Sequence, residues 1–148
     1  MLLVSQQTTW KICIERCYNK LILPGETNQH LVPAVIYQVY VVELSKKVFT
    51  ENAKFRYANP QFNGVLECLY VGMTSKTPQE RLQQHKTGYR NKKGHKLSAN
   101  IVEKYGRYLR PSLYEHINNK PMNRLQALIM EEKLALDLRR KGYAVWFN

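Results

Sequence analysis

Runs of β-branched, aliphatic and aromatic residues predict the strands of this chain. Residues 35–44 (VIYQVYVVEL) are so rich in apolar groups that we expect a central strand covered on both faces. A second apolar strand ends at Tyr70-Val71-Gly72. Residues 107–116 predict a third strand, in which Pro111 favours an edge position or a bulge. Residues 143–148 are interpreted as a final short strand or a tail.

Helical signals lie between these strands. The capping-box pattern of residues 77–80 (TPQE) predicts a helix that begins at Pro78 and ends at Gly88. Residues 98–105 predict a short helix and residues 121–141 a longer one, each followed by a glycine that can end it. Strands and helices together predict an α/β (α+β) domain.

The chain divides into an N-terminal extension, residues 1–34, and a domain, residues 35–148. Alternation at residues 10–14 suggests a strand, although a short helix fits nearly as well, and residues 23–28 resemble a turn-rich linker. Residues 45–64 form a long polar insertion between two predicted strands. Such loops are usually functional or mobile.

The charge of the chain points to a polyanionic partner. Among 148 residues, 23 are Lys or Arg and 11 are Asp or Glu, which gives a formal net charge of +12. Nucleic acid is therefore the leading partner, with an anionic membrane surface or solubility alone as alternatives. No apolar run near 18 residues and no strongly amphipathic basic helix is present, so we expect no membrane association.

The N-terminus and the cysteines favour a cytoplasmic protein. The first residues, MLLVSQQTTWKIC, lack the charged start and continuous apolar core of a signal peptide. The cysteines, Cys13, Cys17 and Cys68, are odd in number, which fits reduced thiols better than a disulfide framework. A zinc site built on Cys13, Cys17 and His30 would be short of ligands, and its spacing is not that of a zinc finger.

Candidate chemistry is concentrated where the second strand meets the following helix. Arg81 and His85 are four residues apart and share one helix face, about a turn above the strand end that presents Tyr70. Singly, a strand Tyr is usually half-buried packing, and a helix Arg or His is usually solvated. Their joint spacing favours convergence of all three on one concave corner.

With these residues the chain resembles the GIY-YIG nuclease family over roughly residues 35–148. Val39-Tyr40-Val41 corresponds to the first motif and Tyr70-Val71-Gly72 to the second. Arg81-x-x-x-His85 corresponds to the helix motif, and Ala-Leu-Ile-Met-Glu131 to the segment with the metal-binding glutamate. The order of these motifs along the chain is more specific than any one of them.

The resemblance implies a three-stranded antiparallel core sheet flanked by helices, and metal-dependent hydrolysis of DNA phosphodiester bonds. It implies that Tyr40, helped by Tyr70, orients or deprotonates the attacking water. Arg81 would neutralise the phosphate, and His85 would bind a tyrosine hydroxyl or a phosphate oxygen. Glu131 would hold a single divalent cation, Mg²⁺ or another such as Mn²⁺, on the leaving oxygen.

Two assignments within the motifs have competitors. Tyr37 could also be the first-motif tyrosine, but it cannot share a strand face with Tyr40, and Tyr40 is preferred because aliphatic residues flank it. Gln38 stands where the family has its leading glycine. Glu131 is preferred over Glu132 because it lies nearly opposite the polar face of the long helix.

Basic segments supply candidate nucleic-acid contacts. No acidic residue occurs from Arg81 to Val102, a stretch that is either a phosphate clamp or a solvated face. The candidate contacts, which include an asparagine resembling one near the end of family domains, are Lys86, Arg90, Lys92, Lys93, Lys96 and Asn148. The insertion is either a second contact surface or a solvated loop, with Lys46, Lys47, Lys54, Arg56, Phe49, Phe55 and Tyr57 as its candidates.

Two functions follow from these patterns. The first is a metal-dependent endonuclease acting on DNA. The alternative is a basic nucleic-acid-binding module, a degenerate nuclease without cleavage activity. The complete Tyr, Arg, His and Glu set favours the nuclease, because a binder needs positive charge but no buried carboxylate.

Overall fold

The computed structural model describes residues 34–147. The expectations for residues 1–33, including the strand or helix at residues 10–14 and the cysteine pair, lie outside the described residues. The same is true of Asn148.

Four strands form one mixed sheet in the order β3-β1-β2-β4. They are β1 (Gln38–Leu44), β2 (Cys68–Thr74), β3 (Gly106–Leu109) and β4 (Ala144–Trp146). The central strand β1 is antiparallel to both β2 and β3, as expected, but β4 is parallel to β2. The expectation of three antiparallel strands alone is therefore wrong. A parallel neighbour needs a long return connection, and the long helix before β4 provides the last part of it.

Five α-helices accompany the sheet in the described part of the chain. They are α1 (Lys47–Glu51), α2 (Ala53–Tyr57), α3 (Pro78–Lys86), α4 (Asn100–Tyr105) and α5 (Arg124–Arg140). Helix α5 packs on β1, β2 and β4, and α3 contacts β1, β3 and α4. Within residues 34–147, no helix combines the length and the apolar character needed to cross a membrane.

The predicted boundaries of α3 are confirmed by its capping interactions. The Glu80 backbone N–H donates to Thr77 Oγ1 at 3.2 Å, and the Thr77 N–H donates to Glu80 Oε2 at 2.9 Å. The two bonds satisfy backbone donors that have no partner within the helix. Gly88 has a φ of +63°, a conformation that glycine adopts without a steric penalty, and it follows the helix end.

Other boundaries differ from the prediction. The strand predicted over residues 107–116 stops at Leu109, because Pro111 has no N–H to continue the ladder and begins a 3₁₀ turn instead. A second 3₁₀ turn, Glu115–Ile117, follows. The edge position predicted for this strand is confirmed, since β3 is an outer strand. The first strand begins at Gln38 rather than at residue 35.

The other two predicted helices, α4 and α5, are shorter than expected. The short helix begins at Asn100 rather than at residue 98. The long helix begins at Arg124 and ends at Arg140. Its start is set by Asn123, whose side chain accepts a hydrogen bond from the Gln126 backbone N–H at 2.9 Å.

The insertion at residues 45–64 is not an open polar loop, because it contains α1 and α2. Phe55 is fully buried and lies 6.4 Å between ring centroids from Trp146, and Phe49 packs against Phe62 at 4.9 Å. Phe55, one of the candidates for stacking on bases, is therefore part of the core, and Phe49 packs against the core from a partly buried position. Tyr57 is 85% exposed and keeps that possibility.

Candidate active site

The register between β1 and β2 brings the two motif tyrosines together. Tyr40 lies opposite Gly72, and Val42 lies opposite Tyr70. Because strand side chains alternate, Tyr40 and Tyr70 are diagonal neighbours on one face of the sheet. Their ring centroids are 6.1 Å apart. Tyr37 lies outside β1 and forms an isolated β-bridge with Met122. Tyr40 is therefore the tyrosine that lies beside Tyr70.

Gly72 makes room for both rings. A Cβ at this position would lie 2.7 Å from Tyr40 Oη and 2.9 Å from Tyr70 Cε1, both closer than van der Waals contact allows. The phenol of Tyr40 therefore crosses the backbone of β2 where there is no side chain. A residue with a side chain at this position would displace one of the two rings.

Helix α3 places His85 against the tyrosines. His85 is fully buried, and its Nε2 lies 2.7 Å from Tyr40 Oη. Its ring lies at 72° to the ring of Tyr70, with 5.6 Å between centroids. On the opposite side of the ring, the backbone N–H of Ala99 donates to Nδ1 at 2.8 Å. Both imidazole nitrogens thus have partners.

Arg81 lies one turn earlier on the same helix and is half-buried. Its Nη2 donates to the carbonyl oxygen of Leu97 at 2.8 Å, and its Nη1 donates to Gln84 Oε1 at 3.1 Å. These bonds hold the guanidinium in one orientation, close enough to Tyr40 for its charge to affect the hydroxyl. The structure brings Tyr70, Arg81 and His85 together, as predicted, and Tyr40 lies beside them. We call these four residues the corner.

Burial controls ionisation in the corner. Burial raises the pKa of the Tyr40 hydroxyl well above its ordinary value, Tyr70 raises it further, and the positive charge of Arg81 opposes both. Burial, with a smaller contribution from Arg81, lowers the pKa of His85 from 6.5 to about 4. At neutral pH both groups are uncharged, and Arg81 is the fixed cation of the corner.

Glu131 is the buried glutamate of α5, as predicted. It is 4% exposed, whereas Glu132 is exposed. It lies on the helix face that also buries Ala127, Leu134 and Ala135. Helix α5 packs that face on the sheet that carries both tyrosines.

The described residues fit a hydrated, substrate-bound cation better than a caged one. Among residues 34–147, no three His, Cys, Asp or Glu side chains are grouped as metal ligands. Mg²⁺ is often held by one or two carboxylates, with water and substrate phosphate oxygens completing its coordination. The buried carboxylate of Glu131 matches that donor set.

The segment with the most lysines forms a hairpin-shaped loop, residues 89–97, which we call the basic hairpin. The backbones of Arg90 and Lys96 form an isolated antiparallel β-bridge across it, and the Leu97 N–H donates to the Tyr89 carbonyl at 3.0 Å. Lys92 and Lys93 are exposed near its tip, and their ammonium groups make no hydrogen bond or ion pair within the described residues.

The other predicted phosphate contacts differ in how far their charged groups already interact with the protein itself. Lys96 Nζ forms an ion pair with Glu103 at 2.5 Å and donates to Asn100 Oδ1 at 2.6 Å. Arg90 Nη1 donates to the Gly94 carbonyl at 3.0 Å, and Lys86 is exposed on α3. Sequence reasoning missed Glu103, which lies just beyond the stretch without acidic residues and neutralises part of its charge.

The main groups missed by sequence reasoning are backbone atoms. The Leu97 carbonyl and the Ala99 N–H hold Arg81 and His85, but every residue carries such groups, so no residue type marks them. No protein-family model matches the chain, and neither the curated proteins nor the solved structures give a match. The residues of the corner therefore carry the argument for function.

Proposed function

We propose that this protein is a metal-dependent endonuclease of the GIY-YIG type that hydrolyses phosphodiester bonds in DNA. The observation that supports the proposal best is the convergence of Tyr40, Tyr70, Arg81 and His85 in one hydrogen-bonded corner. These side chains come from a strand, a second strand and a helix, and their types match the needs of phosphate chemistry.

Hydrolysis of a phosphodiester requires an oriented water and a fixed positive charge for the transition state. Arg81, held by Leu97 and Gln84, would supply that charge without having to reorganise. The Tyr40 hydroxyl would orient the attacking water. Because burial raises its pKa, Tyr40 keeps its proton in the resting protein, so orientation is its first role. Deprotonation of the water would need a bound cation nearby.

Glu131 would hold the divalent cation, Mg²⁺ or Mn²⁺, which supplies Lewis-acid stabilisation of the leaving oxygen. The carboxylate is 4% exposed, and carboxylate oxygens are the ligands that Mg²⁺ takes from proteins. Its place on the sheet-facing side of α5 keeps it away from competing solvent.

DNA is the proposed substrate because the chain is strongly basic and its basic hairpin is continuous with the corner. The net charge is +12, and Lys92 and Lys93 extend into solvent from the hairpin. Such side chains contact phosphates without reading bases, so they would position a duplex rather than select a sequence.

The second candidate function, a nucleic-acid-binding module without cleavage, is favoured by one observation. Tyr40 and Tyr70 are each 1% exposed, and His85 is fully buried. A buried hydrogen-bonded network also stabilises a fold that does no chemistry. For hydrolysis, the Tyr40 hydroxyl must become accessible when a phosphodiester binds, whereas the binding module needs no such change.

A comparison of two adjacent glutamates separates the functions. Purified protein is incubated with supercoiled plasmid and Mg²⁺, and cleavage and DNA affinity are measured for the wild type, Glu131→Gln and Glu132→Gln. The nuclease proposal expects Glu131→Gln to bind DNA but not cleave it. Glu132→Gln is the matched control and should remain active, because Glu132 is exposed.

Two outcomes contradict the proposal. If Glu132→Gln is inactive while Glu131→Gln cleaves, the metal ligand has been assigned to the wrong glutamate. If the wild type cleaves neither duplex, branched nor single-stranded DNA with Mg²⁺ or Mn²⁺, the binding module is the better function.

A further inference from the structure

One short segment, residues 97–99, contacts both reactive side chains of α3. The Leu97 carbonyl accepts a hydrogen bond from Arg81 Nη2 at 2.8 Å. Two residues later, the Ala99 N–H donates to His85 Nδ1 at 2.8 Å. The segment joins the basic hairpin to α4, which begins at Asn100. It contributes only backbone atoms to these two contacts.

The contact with Ala99 determines which nitrogen of His85 carries the proton. A neutral imidazole has one N–H donor and one acceptor nitrogen, and a backbone N–H can only donate. Nδ1, which faces the Ala99 N–H, must therefore be the acceptor, and the proton lies on Nε2. His85 is fully buried and its pKa is about 4, so the ring is neutral at pH 7.

The protonated nitrogen is the one that faces Tyr40. Nε2 lies 2.7 Å from Tyr40 Oη, so its N–H donates to the phenol oxygen. The phenol hydrogen must then be directed to another acceptor, and Tyr70 is the neighbouring ring that interacts with it. In this arrangement His85 cannot take a proton from Tyr40, because Nε2 is already protonated and Nδ1 is occupied.

We propose that residues 97–99 are the positioning segment of the site: the Ala99 N–H holds His85 as a hydrogen-bond donor to Tyr40, and the Leu97 carbonyl orients Arg81. The tautomer of His85 stands on geometry alone, whereas the role of the segment in hydrolysis rests on the proposed function. His85 then holds the Tyr40 oxygen in place as a hydrogen-bond donor and is not a general base.

The tautomer is measured directly on the wild-type protein. Long-range ¹H–¹⁵N correlation spectra of the four histidines distinguish protonated from unprotonated ring nitrogens, and His85→Gln identifies the His85 signals by their loss. We expect a protonated Nε2 and an unprotonated Nδ1, unchanged from pH 8 to pH 5.5. A protonated Nδ1, or a charged ring in this range, would overturn the proposal whether or not the protein cleaves DNA.

Ala99→Pro removes the N–H with little change in backbone, because Ala99 has a φ of −79°, which proline adopts. Ala99→Gly retains the N–H and is the matched control. We expect Ala99→Pro to give a mixture of His85 tautomers and to lower cleavage by about 100-fold, as for a misplaced site group. Ala99→Gly should keep the wild-type tautomer and most of the activity.

Substitutions of His85 itself keep the proposal testable if Ala99→Pro does not fold. The amide nitrogen of Gln lies near the place of Nε2 and can donate to Tyr40, whereas the shorter Asn cannot reach. We expect His85→Gln to cleave faster than His85→Asn. Equal loss in both variants would indicate that proton acceptance by His85 is required and would overturn the donor role.

A wild type that cleaves no nucleic acid would remove the proposed function and with it the role of the segment in hydrolysis. The spectra would still decide the tautomer. Wild-type cleavage with no effect of Ala99→Pro, in a folded variant whose tautomer has shifted, would overturn the positioning role alone.

Discussion

The corner and the basic hairpin hold their polar groups in opposite ways. In the corner, Tyr40 is 1% exposed and His85 is fully buried, and both are held by short hydrogen bonds. In the hairpin, Lys92 and Lys93 are exposed, and their side chains have no partner in residues 34–147. Preorganised buried groups act on a transition state, whereas solvated charges attract phosphates and are screened by salt. Changes in the corner should therefore alter rate and stability, and changes in the hairpin should alter salt-dependent affinity.

The largest effect is expected for Arg81→Ala. The substitution removes the fixed cation of the corner, and loss of one preorganised group costs about 100- to 1,000-fold in rate. Initial rates of Mg²⁺-dependent plasmid cleavage measure the effect, with circular dichroism as a check on folding. Gln83→Ala, an exposed change on the same helix at a residue with no proposed role, is the control. Turnover near that of the wild type would remove Arg81 from the mechanism.

The comparison is sharpened by Arg81→Lys. Lysine keeps the charge but lacks the planar fork that donates to Leu97 and Gln84 at once. If orientation matters as well as charge, this variant should cleave at a rate between those of the wild type and Arg81→Ala.

The next effect is on acid stability, through His85. The folded pKa of about 4 lies below the ordinary value of 6.5, so between these values the unfolded chain binds a proton that the folded protein excludes. Stability must therefore fall as the pH drops from 6.5 to 4, by roughly 3 kcal/mol from this residue.

Denaturant titrations between pH 7.5 and pH 4.5 measure this dependence. His85→Gln should show a shallower fall than the wild type, because it removes the titrating group. His95→Gln, at an exposed position of the basic hairpin, should retain the wild-type slope. Equal slopes in all three proteins would show that His85 is not buried in its neutral form.

A smaller effect is expected for Gly72→Ala. The new Cβ would lie 2.7 Å from Tyr40 Oη, and relieving such a contact typically costs about 1–3 kcal/mol. Thermal or denaturant unfolding measures the loss. In a Tyr40→Leu background, which has no phenol over Gly72, the same substitution should cost less. An equal cost in both backgrounds would place the strain elsewhere.

The smallest effects are expected in the basic hairpin. Replacing Lys92 and Lys93 together with Ala should reduce the slope of log affinity against log salt by about 1.8, or 0.9 for each lost duplex phosphate contact. Lys96→Ala should change the slope less, because Lys96 is paired with Glu103. An unchanged slope in the double variant would make the hairpin a solvated face without a role in binding.

Sequence alone determined the features that depend on near neighbours in the chain. The start of α3 is set by Thr77 and Glu80, three residues apart, and the bonds predicted between them are present. Strand alternation ruled out Tyr37 and Tyr40 on the same face, and helix periodicity distinguished Glu131 from Glu132. Each of these inferences uses a fixed backbone geometry that acts over a few residues.

Tertiary structure decided what depends on distant partners. The parallel pairing of β4 with β2 joins Cys68 to Ala144, and no local pattern specifies such a neighbour. Phe55 is buried because Trp146 lies beside it, although an aromatic residue in a polar loop serves equally well at a surface.

The contacts that hold the corner could not be predicted for a further reason. Arg81 and His85 are anchored by the backbone of Leu97 and Ala99, 16 and 14 residues away. Nearly every residue has the same backbone groups, so the types of side chain at positions 97 and 99 do not indicate the contact. The sequence could determine which residue types are available for chemistry, but only the fold could decide which atoms hold them in place.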